Sequence, residues 1–568
     1  MTNLRRRAGV ASAVASTTPL SPLSQSRLHR TLLATASIVV VSLLVYANAI
    51  GNTFVYDDLE LLTQNRLIQG GPSHVVDILG NGYWGGARCD QLYRPLTIWS
   101  LAFNSTLNTA LGQAGGNPAG FILLNVLLHA AVACTLYRFL LLLGATEALG
   151  LAAALLFAVH PLHTEVVVQA VGRAEILALL FGLLFLCAHR KQYHPLVAAI
   201  AFTLALMSKE SAIAFVGLAV VMDFFFLQPT RRKPLAAYAV YVSVMSVWLG
   251  LRASVVGSLP APHPFVDNPL FDATTSARLA TAALVQMKYL ALELFPVGLS
   301  SDYSYNQIPL ASWREPGVFS FFLLAAAGAA TALSWRKTRP MVGFALFGYA
   351  TLFAPTSNVF FAIGTIMGER LAYAPSFLFI ILVAYGLGSL ARRLNRTFKA
   401  AGMICLLALL GFATAARNRT WANEETFFRA QLASAPQSAK AHYNFGAVSA
   451  KSGDDRGAIQ SYYRAITLLP SYPEPFFNLG NALKRVGAEP QTIIDAYRSA
   501  IRLDPGQTKA RANLALFLTQ VGDFAEARAL TAELEKLQPD HPALPTLHER
   551  LDQAPATTRN TPFGVGAR

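Results

Sequence analysis

Apolar residues in this chain follow two arrangements that meet near residue 420. Up to about 416 they gather in blocks of about 15–25 residues, the length that carries a helix across a hydrocarbon layer of ~30 Å. Beyond 420 the blocks stop and an ordinary soluble composition begins. The blocks predict membrane-crossing helices at 31–50, 119–143, 147–160, 164–188, 194–208, 211–228, 234–251, 317–334, 340–356, 371–390 and 399–416. Two of them, 147–160 and 194–208, are too short for length alone to decide.

Charge placement decides them. The segments 1–30, 188–195, 229–234, 335–340 and 391–399 hold Arg5, Arg190, Arg231, Arg336, Arg392 and their basic neighbours, and no Asp or Glu. That asymmetry marks cytoplasmic loops. With 188–195 and 229–234 on one side, an even number of crossings separates them, so 194–208 and 211–228 both cross. The same parity makes 51–118 a first outer loop and 252–316 a long outer excursion. Within the excursion, 276–296 is apolar but carries Lys288 and Glu293, which suits a helix that lies in the interface or re-enters rather than spans. Residues 1–30 become a cytoplasmic tail, and everything after the eleventh crossing lies outside. The string "ANA" (47–49) after an apolar run resembles a signal-cleavage site, yet the run is long and further crossings follow, which favours an uncleaved first span.

Past the last block the chain repeats itself. Pro436, Pro470, Pro505 and Pro539 stand 34, 35 and 34 residues apart. Between them recur "HYNFG" (442–446), "PFFNLG" (475–480) and "ARANLA" (510–515), then Gly453, Gly487 and Gly522, then "YRAI" (463–466) and "YRSAI" (497–501). This is the tetratricopeptide pattern of paired antiparallel helices. It predicts a solenoid over 437–545, with a linking half-repeat at 421–436 and a flexible tail at 546–568. The fold class is therefore all-α: a polytopic helix bundle of about eleven spans over 31–416, then a tetratricopeptide-repeat array. Such arrays hold extended peptides or partner proteins on a concave face; the groove near Asn444, Asn478 and Asn513 is the candidate face here, with the residues that bind left open.

Composition agrees with the division. The 568 residues are 54% hydrophobic and 14% charged, where soluble domains carry roughly 25% charged residues. The net charge of +15 does not signal nucleic acid, because the cations lie in separate loops rather than one continuous patch. Of the four cysteines only Cys89 lies in a polar loop; Cys134, Cys187 and Cys405 lie in apolar blocks. Neither a disulfide framework nor a paired metal spacing results.

The polar residues outside the cytoplasmic loops converge on the outer side: Asp57, Asp58, Arg94, His160, His163, Glu165, Arg173, Glu175, Lys209, Glu210, Arg252, Asp302, Glu369 and Arg370. Arg173 stands eight residues along the expected helix from Glu165, about 12 Å deeper at the helical rise. Ionisable groups at that depth mark functional sites by default. Each also has a plainer reading. Adjacent aspartates suit a helix start; "HPLH" lacks an obvious third metal ligand, so no metal is expected; Arg173 with Glu175 could be a structural pair; Lys209 with Glu210 could be a solvated turn. Taken together they suit a cavity that handles a charged group. Carboxylates at a membrane surface with fixed cations nearby fit sugar transfer from a lipid phosphate. One carboxylate takes the proton of an acceptor hydroxyl, while the lipid phosphate departs as an anion stabilised by cations such as Arg173, Lys209 or Arg370. A scaffold that recruits partners, or a transporter, remains the competing class.

A run of motifs carries a resemblance to a known family: "VYDD" (55–58), "YRPLT" (93–97), "FAVHPLHTEVV" (157–167), "VGRAE" (171–175), "SKES" (208–211), "LFPVGLSSDYSYNQIPL" (294–310), "SNVFF" (357–361), "GERLAY" (368–373) and "WANEETFF" (421–428). In this order, and followed by the repeats, they resemble the transmembrane and tetratricopeptide-repeat O-mannosyltransferases, which have the GT-C glycosyltransferase fold. The resemblance implies inverting transfer of mannose from a polyprenyl-phosphate donor to Ser or Thr of extracytoplasmic proteins, without a required metal or further cofactor. It implies that the first-loop aspartates, here Asp57 and Asp58, are catalytic, with Asp57 favoured as base and Asp58 as its orienting partner. The remaining outer charges, Arg94, His160, His163, Glu165, Arg173, Glu175, Lys209, Asp302, Glu369 and Arg370, become candidate donor-binding residues. A short array and no endoplasmic-reticulum retention signal allow a bacterial inner-membrane enzyme with a periplasmic array. A eukaryotic setting would place the array in the lumen, and an envelope glycan or lipid is the alternative acceptor.

Overall fold

The computed structural model describes residues 22–85, 92–227, 235–257 and 264–554. Most of the N-terminal tail, the basic loop 229–234, Cys89, part of the long excursion and the tail from 555 lie outside the described residues. Among the described residues the ordered elements are all helices. Each of the eleven apolar segments is helical over most of its described length, as suits a place where no water is available to satisfy backbone groups. Among the described residues six helices are long and apolar enough to cross a membrane: His29–Ala49, Pro118–Leu142, Leu235–Val256, Pro316–Ser334, Glu369–Arg393 and Arg396–Arg419. The pair Glu147–Val159 and Pro161–Val168, bent by 50°, makes a seventh if it counts as one span. Pro195–Ser208 and Pro340–Thr356 are shorter apolar helices. The chain is a multi-pass membrane protein.

One expected helix is not continuous. The segment read as 164–188 forms a short helix Thr164–Val168, breaks over Gln169–Gly172, and resumes as Arg173–Arg190. Gly172 sits so close to the preceding turn that a Cβ there would fall 2.1 Å from the Val166 carbonyl oxygen, so a side chain would force the strands of chain apart. Arg173 therefore begins a helix and is not two turns deep along one that starts at Glu165.

The first outer loop folds into helices Asp57–Gln64, Arg66–Gln69, Val75–Gly80 and Pro95–Ala110. In the long excursion, Thr275–Leu294 is a single helix with a buried face. The last membrane helix, Arg396–Arg419, leads through Trp421, which is buried, into the half-repeat helix Glu424–Ser434. Three helical hairpins follow, Ala439–Lys451 with Asp455–Leu468, Pro473–Arg485 with Pro490–Leu503, and Thr508–Val521 with Phe524–Leu537, closed by Leu544–Asp552. Their turn residues Gly453, Gly487 and Gly522 all hold φ between 67° and 90°, the left-handed region that glycine enters without a Cβ clash.

The array is docked on the loop 51–118 and the excursion 252–316. Thr53 N–H donates to the Ala422 carbonyl at 2.9 Å, and Asn306 N–H donates to Gln437 at 3.0 Å. Ala439 N–H donates to Tyr305 at 2.8 Å. The first loop, the excursion and the array therefore share one face of the membrane domain.

Candidate functional site

Asp57 and Asp58 open the helix Asp57–Gln64, where their charge opposes the helix dipole favourably. The structure gives them different surroundings. Asp58 is buried, and its two carboxylate oxygens accept from the Ala170 and Val171 amides at 2.7 and 2.8 Å. Those amides belong to the break between Thr164–Val168 and Arg173–Arg190, so Asp58 ties the first loop to the kinked span. Asp57 is half-buried and acts electrostatically on Asp58, Tyr56 and Arg370. The residue before it, Tyr56, holds φ 55° and ψ −124°, a backbone region that non-glycine residues seldom enter.

Burial pushes the Asp58 carboxyl up from 3.8 to about 7, against the two amide bonds and Arg173, which lower it. The folded protein thus keeps this proton to higher pH than the unfolded chain. Stability from the group is full below about pH 4 and is lost as the pH rises through 7. Asp58→Asn places an amide N–H against a backbone N–H and is expected to cost about 1–3 kcal/mol at pH 5. The gap in melting temperature between the two proteins is expected to narrow from pH 5 to pH 8, and a constant gap would show that Asp58 titrates elsewhere.

Three of the candidate cations, Arg94, Lys209 and Arg370, meet acids. Arg370, with 38% of its side chain exposed, pairs with Glu165 at 2.7 Å, and its backbone amide donates to the same carboxylate at 3.1 Å. Glu369, fully buried beside it, pairs with Arg417 at 3.4 Å and accepts from the Tyr303 hydroxyl at 3.0 Å. Arg94 grips Glu210 with two bonds of 2.8 and 2.5 Å and lies 5.3 Å from the Tyr83 ring centroid. Lys209 is in direct contact with Glu175, both buried. Tyr83 feels Asp57, Asp58, Arg94 and Glu210. Asp57 thus lies within electrostatic reach of Arg370, and both first-loop aspartates act on Tyr83 together with Arg94 and Glu210.

Arg173 is wholly buried, and its guanidinium is spent inside the protein. Nε donates to Asn125 Oδ1 at 2.8 Å, Nη1 to the Ser100 carbonyl at 3.1 Å, and Nη2 to Asn104 Oδ1 at 2.8 Å and the Phe121 carbonyl at 3.0 Å. His160 and His163 are also buried and bonded inward. Nε2 of His160 meets the Glu293 carbonyl at 2.9 Å; His163 bridges the Phe157 carbonyl at 2.9 Å and the Ser376 hydroxyl at 2.8 Å. Asp302 accepts from the Ser304 hydroxyl at 2.9 Å and from Ser438 of the array, so it serves the docked junction. In the array, Asn478 Nδ2 reaches the Tyr443 hydroxyl at 3.3 Å and Asn513 Nδ2 reaches Asn481 at 2.8 Å, whereas Asn444 Nδ2 is buried with no partner. Among the described residues no group of three or more His, Cys, Asp or Glu is placed to hold a metal.

Sequence reasoning missed Tyr56, Tyr303, Arg417 and Lys440. Arg417 closes the last membrane helix and donates to Leu299 O at 2.9 Å as well as to Glu369; its place directly after the last apolar block is the available signal. Lys440 pairs with Asp267 at 2.5 Å and lies 5.9 Å from the Tyr56 ring centroid. Nothing local to an ordinary repeat helix reveals that.

Comparison with known proteins agrees with the ordered motifs. Models for "TPR repeat" and "Tetratricopeptide repeat" match residues 449–487 and 489–551. The chain is 28% identical over 496 residues to protein O-mannosyl-transferase TMTC4 of Mus musculus, covering 76% of this chain and 66% of that protein. It is 28% identical to protein O-mannosyl-transferase TMTC1 of Homo sapiens over 79% of this chain and 56% of that one. With protein O-mannosyl-transferase TMTC3 of Mus musculus it shares 27% identity over 89% and 60% of the two chains. It therefore spans 56% to 66% of the length of these relatives. Among solved structures, MamA aligns at 16% identity over 38% of this chain and 92% of its own, but with a TM-score of 0.19, too loose to carry an argument. The resemblance in the ordered motifs is borne out by relatives along most of the chain.

Proposed function

We propose that this protein transfers mannose from a polyprenyl-phosphate donor to Ser or Thr hydroxyls of extracytoplasmic proteins. The relatives named protein O-mannosyl-transferases support the reaction class. The observation that carries the mechanism is the half-buried Asp57 within electrostatic reach of the partly exposed Arg370, at the mouth of a membrane bundle.

In this reading Asp57 takes the proton of the acceptor hydroxyl as its oxygen bonds to the anomeric carbon from the face opposite the phosphate. The carbon–oxygen bond to phosphate breaks, and polyprenyl phosphate leaves as an anion with its tail still in lipid. Arg370, held by Glu165, stabilises the charge growing on that phosphate. Asp58, pinned by the Ala170 and Val171 amides, fixes the start of the helix that presents Asp57. The acceptor approaches through a cleft of about 580 Å³ between Phe54 and Leu59 of the first loop and Glu425 and Val448 of the array. In this reading the face lies on the periplasmic side of a bacterial inner membrane, or in the lumen of a eukaryotic one, and the basic-loop asymmetry supports that orientation.

The test incubates the purified chain with polyprenyl-phosphate mannose and Ser/Thr-rich peptides, and reads hexose addition by mass spectrometry. Hexose on a hydroxyl side chain is expected; transfer only to a glycan or lipid, or no transfer, overturns the reading. Arg370→Ala is expected to lower kcat about 10²-fold, the scale of one lost transition-state donor, measured as the initial rate of hexose transfer. An unchanged kcat would remove Arg370 from the leaving-group site.

A further inference from the structure

We propose that Lys440, on the first helix of the repeat array, acts with Phe427 and Phe428 as a set of positioning residues for Asp57, so that docking of the array sets the proposed base. What Asp57 does rests on the reading above; how it is held does not.

The backbone at Tyr56 lies where a residue with a Cβ persists only if its surroundings hold it there. Part of those surroundings comes from the membrane domain, through the cluster around Tyr46, Val126 and Val167, and part from the half-repeat and the array. The Tyr56 ring packs 5.9 Å from the Phe427 centroid and 6.1 Å, edge-on, from that of Phe428. The Lys440 ammonium lies 5.9 Å from the centre of the same ring, a placement the ring's negative face favours. Lys440 is itself anchored: its side chain is 22% exposed and pairs with Asp267 of the long excursion at 2.5 Å, within the electrostatic influence of Asp302. Asp302 in turn binds Ser438, two residues before Lys440. Three segments distant in sequence thus meet at one ammonium group, and the residue they clamp immediately precedes Asp57.

The Asp58 and Leu59 amides close the first turn on the Val55 and Tyr56 carbonyls, both at 3.2 Å, and they report on this clamp. The test uses the full chain in lipid nanodiscs with Lys440→Met, Lys440→Arg, Phe428→Leu and, as an ion-pair control in a later repeat, Arg498→Met. Hydrogen exchange at Asp58 and Leu59 is expected to quicken about tenfold in Lys440→Met, with the helices at 473–503 unchanged. The kcat for mannosyl transfer should fall about tenfold with both KM values within twofold, and Lys440→Arg should restore most of each loss. Phe428→Leu is expected to shift both readouts the same way by less, and it decides the matter if Lys440→Met loosens the repeats as well. Arg498→Met should change neither. Unaltered exchange at 58–59 overturns the proposal, as does faster exchange with an unchanged kcat, or a defect confined to the peptide KM. If the unsubstituted chain transfers no sugar, the proposed function fails, and the exchange result alone decides whether the clamp exists.

Discussion

Asp57→Asn is expected to slow mannosyl transfer by about 10²–10⁴-fold, the range general-base catalysis supplies, while membrane insertion and melting temperature stay close to those of the unsubstituted protein. The change removes proton affinity and keeps shape. Asp58, not Asp57, accepts the paired amides of residues 170 and 171, so the asparagine at 57 leaves the tie between the first loop and the kinked span in place. The neighbouring substitution should behave differently: Asp58→Asn is expected to lose both stability and rate. Initial rates with a Ser/Thr peptide, read beside thermal melting of each variant, separate the two. Equal losses of rate and stability in Asp57→Asn would make it another structural carboxylate and leave the reaction without a base.

Arg173→Ala is expected to prevent accumulation of folded protein. Its guanidinium satisfies four acceptors, the Ser100 and Phe121 carbonyls and the side-chain oxygens of Asn104 and Asn125. Each buried acceptor left without a donor costs about 1–3 kcal/mol, so the sum approaches the whole stability of an ordinary domain, about 5–15 kcal/mol. Arg173→Lys should not rescue it, because one ammonium cannot span the fork of directions that the guanidinium reaches. Size-exclusion profiles of detergent extracts check this. A well-folded Arg173→Ala protein with a raised donor KM would instead return Arg173 to the donor phosphate.

The separation between these two residues shows where sequence reasoning stops. Both were legible as charges on the outer side of the bundle. Their roles were not, because a role is a set of partners and the partners lie in other segments. The break at Gln169–Gly172 hides inside "VVVQAVG", which composition cannot distinguish from a continuing span; it needs the close approach of Gly172 to the Val166 carbonyl. His160 and His163 read as donor-binding candidates by their place among the outer charges, with loop packing and hydrogen bonding as the plainer role, and each finds backbone or hydroxyl partners within the bundle.

What the sequence determined by itself was whatever repeats or is counted along one dimension. A bilayer imposes a length on each apolar block and a charge bias on each loop, and both are local properties of the chain. A solenoid repeats one packing unit, so its small residues, turn glycines and prolines recur at a readable period. Only the tertiary structure decided which acid is pinned and which acts electrostatically on Arg370, and that a lysine of the array meets the residue before Asp57. Those outcomes depend on the summed packing of segments hundreds of residues apart, and no window of sequence contains that sum.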